Sequence, residues 1–323
     1  MRAFSIPHGR VRREAGDPDR MRTHGLAGFE THEKGPLMAE FVRIHEVGPR
    51  DGLQNESRVI SVARKVALID LLGQSGLRDI EVGSFVSPRW VPQMADTDQV
   101  LAGLTPVPGV RYAVLVPNMR GWEGFLAARR ADMTTEIAVF IAASEGFSQS
   151  NLNCSIATSV ARLRPVVEAA LQADVAVRGY VSCVTDCPFD GPISPQQVAD
   201  AVAMLRDLAP MPVSLGDTIG KGTPERVGAM LEAVLDVAPT DDLAGHFHDT
   251  GGQALANIEV ALDLGLRAFD SAVGGLGGCP YAPGAPGNVA TEAVLALLAR
   301  LGYQTGVDGQ VIAQAAAMAK DMR

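Results

Sequence analysis

The chain is 323 residues long, 47% of it apolar and 20% charged, with a formal net charge of −9 at pH 7. That length suits one large α/β domain, and the acidic balance excludes a nucleic-acid binder, whose phosphate contacts need a basic face. No apolar run reaches the roughly 18 residues of a membrane span, and four cysteines make no disulfide scaffold, so a reducing cytoplasm is the expected location.

Residues 1–37 stand apart. They carry seven Lys/Arg against five Asp/Glu, and three of the six histidines, without apolar periodicity. They are expected to form a flexible N-terminal extension, with Met38 as the natural start and residues 38–323 as one catalytic domain. No apolar segment follows the arginines, which excludes a secretory signal, and the acids argue against an organelle transit peptide. From residue 38 onward, short β-branched runs alternate with Ala/Leu-rich stretches of helical spacing. The runs are 41–47, 78–84, 110–116, 136–142, 176–183, 212–215, 243–248 and 268–273. The helical stretches are about 60–75, 94–102, 120–130, 155–173, 195–208, 223–237, 251–264 and 289–301. Eight such units predict an α/β fold, a (β/α)8 TIM barrel, ahead of a doubly wound open sheet. The Ala-rich 302–323 segment predicts an extra C-terminal helix capping the barrel.

A barrel of this kind places its chemistry at the carboxyl ends of the strands and in the loops that follow. The polar residues obey that rule. Arg50 and Asp51 follow the first strand, Glu81 ends the second, Asp217 follows the sixth, His246 and His248 close the seventh, and Cys279 and Asn288 lie in a long loop after the eighth. Residues i and i+2 of a strand share a face, so both imidazoles of His246-Phe247-His248 point to the barrel axis while Phe247 packs outward. With Asp51 and Asn288 they make a mixed nitrogen and oxygen donor set suited to Mg²⁺ or Mn²⁺, with Zn²⁺ as the alternative, and unlike a thiolate zinc cage. Cys183 and Cys187, spaced C-x₃-C without a second close pair, read as buried thiols rather than ligands. Cys279 differs, because the glycine-rich run Gly274–Asn288 can carry a thiol toward a substrate by loop closure.

Several motifs here resemble those of the 3-hydroxy-3-methylglutaryl-CoA lyase family. They are Glu46-Val47-Gly48-Pro49-Arg50-Asp51-Gly52-Leu53-Gln54-Asn55-Glu56, Ser84–Pro88, Arg178–Cys183, Ser214–Gly220, His246–Thr250 and the cysteine loop Gly274–Asn288. The likeness spans residues 40 to 305 or so and leaves out the first 37. It implies a divalent cation held by Asp51, His246, His248 and Asn288, with Arg50 polarising a thioester carbonyl and Cys279 transferring a proton. Glu81 would orient a water on the metal or the substrate hydroxyl, while Gln54, Ser144, Tyr180, Asp217 and Glu292 would line or support the pocket. The implied reaction is metal-dependent cleavage of (S)-3-hydroxy-3-methylglutaryl-CoA to acetyl-CoA and acetoacetate. The alternatives are the same carbon–carbon lyase chemistry on a longer 3-alkyl analogue, or another aldolase or Claisen-type reaction. Asp51, a histidine such as His246 and Cys279 all remain candidates to take the hydroxyl proton. The implied partner is an acyl-CoA, for which Lys221, Arg89 and Arg111 are candidate phosphate contacts. A homo-oligomer, with a dimer favoured, is expected from the general frequency of symmetric dimers.

Overall fold

The computed structural model describes residues 40–279 and 282–323, so the N-terminal extension and the tip of the cysteine loop lie outside the described residues. Eight parallel strands close into a barrel: β1 (Arg43–Glu46), β2 (Asp79–Ser84), β3 (Arg111–Leu115), β4 (Thr134–Ala142), β5 (Ala176–Ser182), β6 (Val213–Asp217), β7 (Leu243–Phe247) and β8 (Ala268–Ser271). Each pairs with its chain neighbours, and β1 closes the ring on β8 through the register His45↔Asp270. The expected (β/α)8 barrel is therefore the fold. Its helices are α1 (Val62–Gly73), α2 (Thr97–Gly103), α3 (Met119–Ala128), α4 (Glu145–Leu152), α5 (Ile156–Gln172), α6 (Pro195–Arg206), α7 (Pro224–Leu235), α8 (Ala254–Asp263), α9 (Thr291–Arg300) and α10 (Gly309–Lys320). No helix among the described residues is long and apolar enough to cross a membrane.

Local chemistry explains the helix starts. Ser61, Asn118, Ser144 and Ser155 each accept a hydrogen bond from the first turn of the helix they precede. Ser194 forms a full capping box with Gln197, and a proline opens α6 and α7, where its missing N–H costs nothing. The short helix α4 went unread in the sequence because it is polar and only eight residues long. The C-terminal helix is present, but it does not cap an end of the barrel. Asp308 N–H donates to the carbonyl of Ser75 after α1 at 2.7 Å, and α10 then packs beside α1 and α9. Its Ala316 and Ala319 reach the turn Val273–Gly275 that follows β8.

Strands of a TIM barrel are covered on both faces, and the outer residues here are apolar: Ile80, Val82, Val181, Val213, Leu215, Phe247 and Phe269 all belong to the buried core. The inward set is different. Asp79, Glu81, Arg178, Tyr180, Ser214, His246 and Asp270 are buried; Tyr180 bonds to Glu81, and Arg178, Ser214 and His246 converge on Asp270, while Asp79 pairs with Arg43. A period-two alternation of apolar and ionisable residues thus produces a barrel with a greasy jacket and a charged interior.

At the mouth, β1 runs into a π-helical turn, Gly48–Gly52, with Gly52 N–H donating to Val47 at 3.2 Å and Leu53 N–H to Gly48 at 3.0 Å. The buried Glu46 carboxylate holds this turn, accepting from Gly48 N–H (2.8 Å), Val273 N–H (2.9 Å) and Thr291 Oγ1 (2.6 Å). Burial raises the Glu46 carboxyl from its ordinary 4.5 to about 7, against the pull of those three donors. A folded pKa above the unfolded one contributes stability that is complete below about pH 4.5 and lost as pH rises through about 7. Melting temperature is therefore expected to fall between about pH 5 and pH 8, and Glu46→Gln to flatten that slope. An unchanged slope in the variant would remove Glu46 as its cause.

Candidate active site

Arg50 and Asp51 are neighbours in sequence, yet both side chains enter the mouth of the barrel. On a strand they would point to opposite faces, and the π-turn is what brings them together. Room for that turn comes from Gly52, where a Cβ would lie 2.6 Å from Cβ of Leu276. The Asp51 carboxylate then divides its two oxygens. Oδ1 accepts from Arg50 Nη1 at 2.6 Å and Gln54 Nε2 at 3.1 Å. Oδ2 lies 3.9 Å from Nε2 of His246 and 3.9 Å from Nε2 of His248, and accepts from Asn288 Nδ2 at 2.8 Å.

The two histidines project from β7 and the residue after it, with ring centres 5.3 Å apart. Asn288 is brought beside them by backbone pairing, since residues 288 and 248 form an antiparallel bridge. Asp51, His246 and His248 each offer one donor atom, all within 4.8 Å of one another. The donors are one carboxylate oxygen and two imidazole nitrogens, a set that suits a divalent cation. Asn288 presents its amide nitrogen to Asp51, and rotation of the amide would present Oδ1 in its place. Burial would raise the Asp51 carboxyl, but the charges of Arg50 and the two histidines hold it at about 2. Burial and the neighbouring His246 charge keep His248 at about 4. His246 moves the other way: burial lowers it, while the hydrogen bond and charge of Asp270 leave it raised.

Arg50 is held on its far side by Glu81, with Nη2 2.6 Å from Oε2 and side-chain exposures of 8% and 0%. Tyr180 also donates to Glu81 at 3.2 Å, and its ring lies against the guanidinium groups of Arg50 (5.6 Å) and Arg178 (5.2 Å). Burial pushes the Glu81 carboxyl up, and the Arg50 charge opposes it. The structure thus sets Glu81 behind Arg50. Arg50 Nε, Glu81 Oε1 and His248 Nδ1 are buried without hydrogen-bond partners among the described residues. A cluster of unsatisfied polar atoms is costly unless a ligand uses them.

The remaining expected residues divide. Gln54 reaches the cluster through Asp51. Glu292 accepts from Gly274 N–H at 3.0 Å and so supports the loop after β8. Ser144 and Asp217 are committed to the protein itself. Ser144 caps α4 and donates to Cys187 Sγ at 2.9 Å. Asp217, fully buried, accepts from Thr185 Oγ1 (2.7 Å) and from the backbone of Lys221 and Gly222, which leaves it shaping the loop after β6. Cys183 and Cys187 are free buried thiols. The backbone of Cys279 lies in a short ribbon, Gly278–Cys279 against Ala282–Pro286, and its side chain is outside what is described. Arg111 opens β3 at the opposite end of the barrel, where it pairs with Glu136 at 3.0 Å, so it is no phosphate contact for a ligand at the mouth. The sequence motifs included Glu46, Arg178 and Ser214 without a role for them and left out Asp270; all four lie in the supporting network. Arg178, Ser214 and Asp270 were signalled as ionisable or hydroxyl residues at inward, period-two positions, whereas Glu46 stands in register with the outward Ile80 and carried no such signal.

The HMGL-like family model matches residues 41–319. The chain belongs to this family. Among the HMGL-like relatives, the hydroxymethylglutaryl-CoA lyase of Pseudomonas mevalonii is 55% identical over 273 residues, 84% of this chain and 89% of that protein. The 3-hydroxy-3-isohexenylglutaryl-CoA/hydroxy-methylglutaryl-CoA lyase of Pseudomonas aeruginosa is 56% identical over 274 residues, 85% of this chain and 90% of that one. The crystal structure of the HMG-CoA lyase from Brucella melitensis superposes with a TM-score of 0.86 at 55% identity, covering 88% of this chain and 99% of that chain.

The pairing behind Arg50 has a measurable consequence. Removing one partner of a buried ion pair costs about 3–5 kcal/mol, and Asp51, still paired with Nη1 of Arg50, makes that the upper end here. Glu81→Ala is expected to lose stability of that order in a denaturant titration, and Glu81→Gln clearly less. A loss below about 1 kcal/mol in Glu81→Ala would show that Arg50 does not depend on this carboxylate.

Proposed function

We propose that the chain is a divalent-metal-dependent carbon–carbon lyase that cleaves (S)-3-hydroxy-3-methylglutaryl-CoA to acetyl-CoA and acetoacetate. The observation that carries this is the convergence of a buried Arg50 and the Asp51–His246–His248 donor set on one side of the mouth. Breaking the C2–C3 bond of a 3-hydroxyacyl thioester requires a base for the C3 hydroxyl, a sink for the electron pair left on C2 and a proton to quench the resulting enolate.

Arg50 supplies the sink. Its guanidinium stays charged at any working pH and offers planar donors to an enolate oxygen, and Glu81 and Tyr180 fix its direction before substrate arrives. Asp51, His246 and His248, with Asn288 turned to present its amide oxygen, would hold the cation, Mg²⁺ or Mn²⁺. When bound, the cation lowers the pKa of a ligated hydroxyl and fixes substrate geometry. Asp51 and Cys279 are the groups left to take the C3 proton, because a His246 that ligates through Nε2 and donates through Nδ1 to Asp270 has no free lone pair. Cys279 on its glycine-rich loop is the one suited to return a proton to C2. Arg50, Glu81 and His246 are buried and Asp51 and His248 only partly exposed, which limits screening by bulk water and strengthens these interactions. The name of the P. aeruginosa relative favours a second substrate of the same chemistry, a 3-alkyl analogue with a longer branch.

The test is a steady-state assay on metal-stripped protein, following acetyl-CoA release with and without added Mg²⁺ or Mn²⁺. Metal-dependent release is expected, with kcat of Arg50→Gln lower by about 10³-fold or more and KM little changed. Cys279→Ala is expected to lose about 10²–10⁴ in rate. An unchanged rate in Arg50→Gln would sink its enolate role. Release from the isohexenyl analogue alone would move the assignment to that substrate.

A further inference from the structure

Asp270 lies on β8, fully buried and directly beside His246 in the strand register. One carboxylate oxygen, Oδ1, accepts from Arg178 Nη2 of β5. The other, Oδ2, accepts from Ser214 Oγ of β6 at 2.6 Å and faces His246 Nδ1 at 3.1 Å. An ionised carboxylate has no proton to give, so it must receive the one on Nδ1. His246 Nε2 then carries a lone pair, and that atom is the one aimed at Asp51 Oδ2. His248 has no such support, since its Nδ1 is buried and unpartnered among the described residues.

We infer that Asp270 is the positioning residue of the cation site: it locks His246 in the tautomer that can ligate, and makes the two histidines unequal ligands. This rests on the reading of Asp51, His246 and His248 as cation donors. A carboxylate behind a ligating imidazole fixes ring orientation and raises ligand strength, and its loss typically costs about 10–100-fold in metal affinity. Arg178 sharpens the consequence. In Asp270→Asn its guanidinium, a donor only, holds the amide oxygen on its own side and turns the amide NH₂ toward His246. The imidazole must then accept at Nδ1 and carry its proton on Nε2, where no cation can be bound.

The experiment measures Mn²⁺ binding to the full chain by the loss of the free-ion EPR signal, in wild type, Asp270→Asn and the double variant Arg178→Gln/Asp270→Asn. Alongside it, ¹⁵N NMR reads the His246 tautomer in metal-free protein at about pH 9. Asp270→Asn is expected to bind Mn²⁺ about 10–100-fold more weakly, with the His246 proton moved from Nδ1 to Nε2. The double variant, which removes both charges and is the safer folder, is expected to stay at least tenfold weaker. Folded Asp270→Asn binding Mn²⁺ as wild type does would overturn the inference while leaving the cation site standing. If both variants fail to fold, a wild-type His246 protonated on Nε2 overturns it. Wild type that binds no Mn²⁺ removes the cation site and this inference together.

Discussion

The mouth of the barrel depends on a carboxylate outside the proposed catalytic set. Glu46 ends β1 and accepts from three donors belonging to three separate pieces of chain: the π-turn, the segment after β8 and the start of α9. The turn carries Arg50 and Asp51, the segment after β8 leads into the cysteine loop, and α9 carries Glu292. Chain closure at β1 and β8 brings these pieces within reach, and the buried Glu46 fixes their spacing.

Below the mouth, the interior departs from the usual layered hydrocarbon filling of a TIM barrel. Arg178 with Asp270 crosses the lumen, while Asp79 with Arg43 and Arg111, and Glu81 with Arg50, pair opposite charges between neighbouring pieces of the barrel wall. Such pairs gain little over well-packed apolar groups, because desolvation offsets their attraction. Their value here is directional. Each charged residue fixes the next, from Arg178 through Asp270 to His246 and from Glu81 to Arg50, so the site rests on a network rather than on loop packing.

Much of this was legible in the sequence. All eight strands and their following helices lie where the alternation of β-branched and Ala/Leu-rich segments puts them, because the outward face of each strand and the inward stripe of each helix must both be apolar to pack. His246 and His248 on one face, with Phe247 packed outward, follow from the two-residue period alone. What escaped had weaker local signals. A five-residue π-turn has no hydrophobic period, and α4 is too short and polar to show one. The cross-barrel bonds of Asp270 and Glu46 depend on which strands face each other. Ser144 and Asp217 stand at positions that suggest a pocket, yet their hydrogen bonds are used within the protein.

Asp51 serves two sides at once, Arg50 through one oxygen and the two histidines through the other. In the proposed reaction that division would let one carboxylate couple the enolate-stabilising group to the cation site. Anomalous diffraction from crystals soaked in Mn²⁺ tests it directly. The account predicts a single strong peak among Asp51 Oδ2, His246 Nε2 and His248 Nε2, with the Asn288 amide oxygen turned toward it and Arg50 still on Oδ1. Mn²⁺ bound elsewhere, or Asp51 turned wholly onto Arg50 with no ion between the histidines, would contradict it.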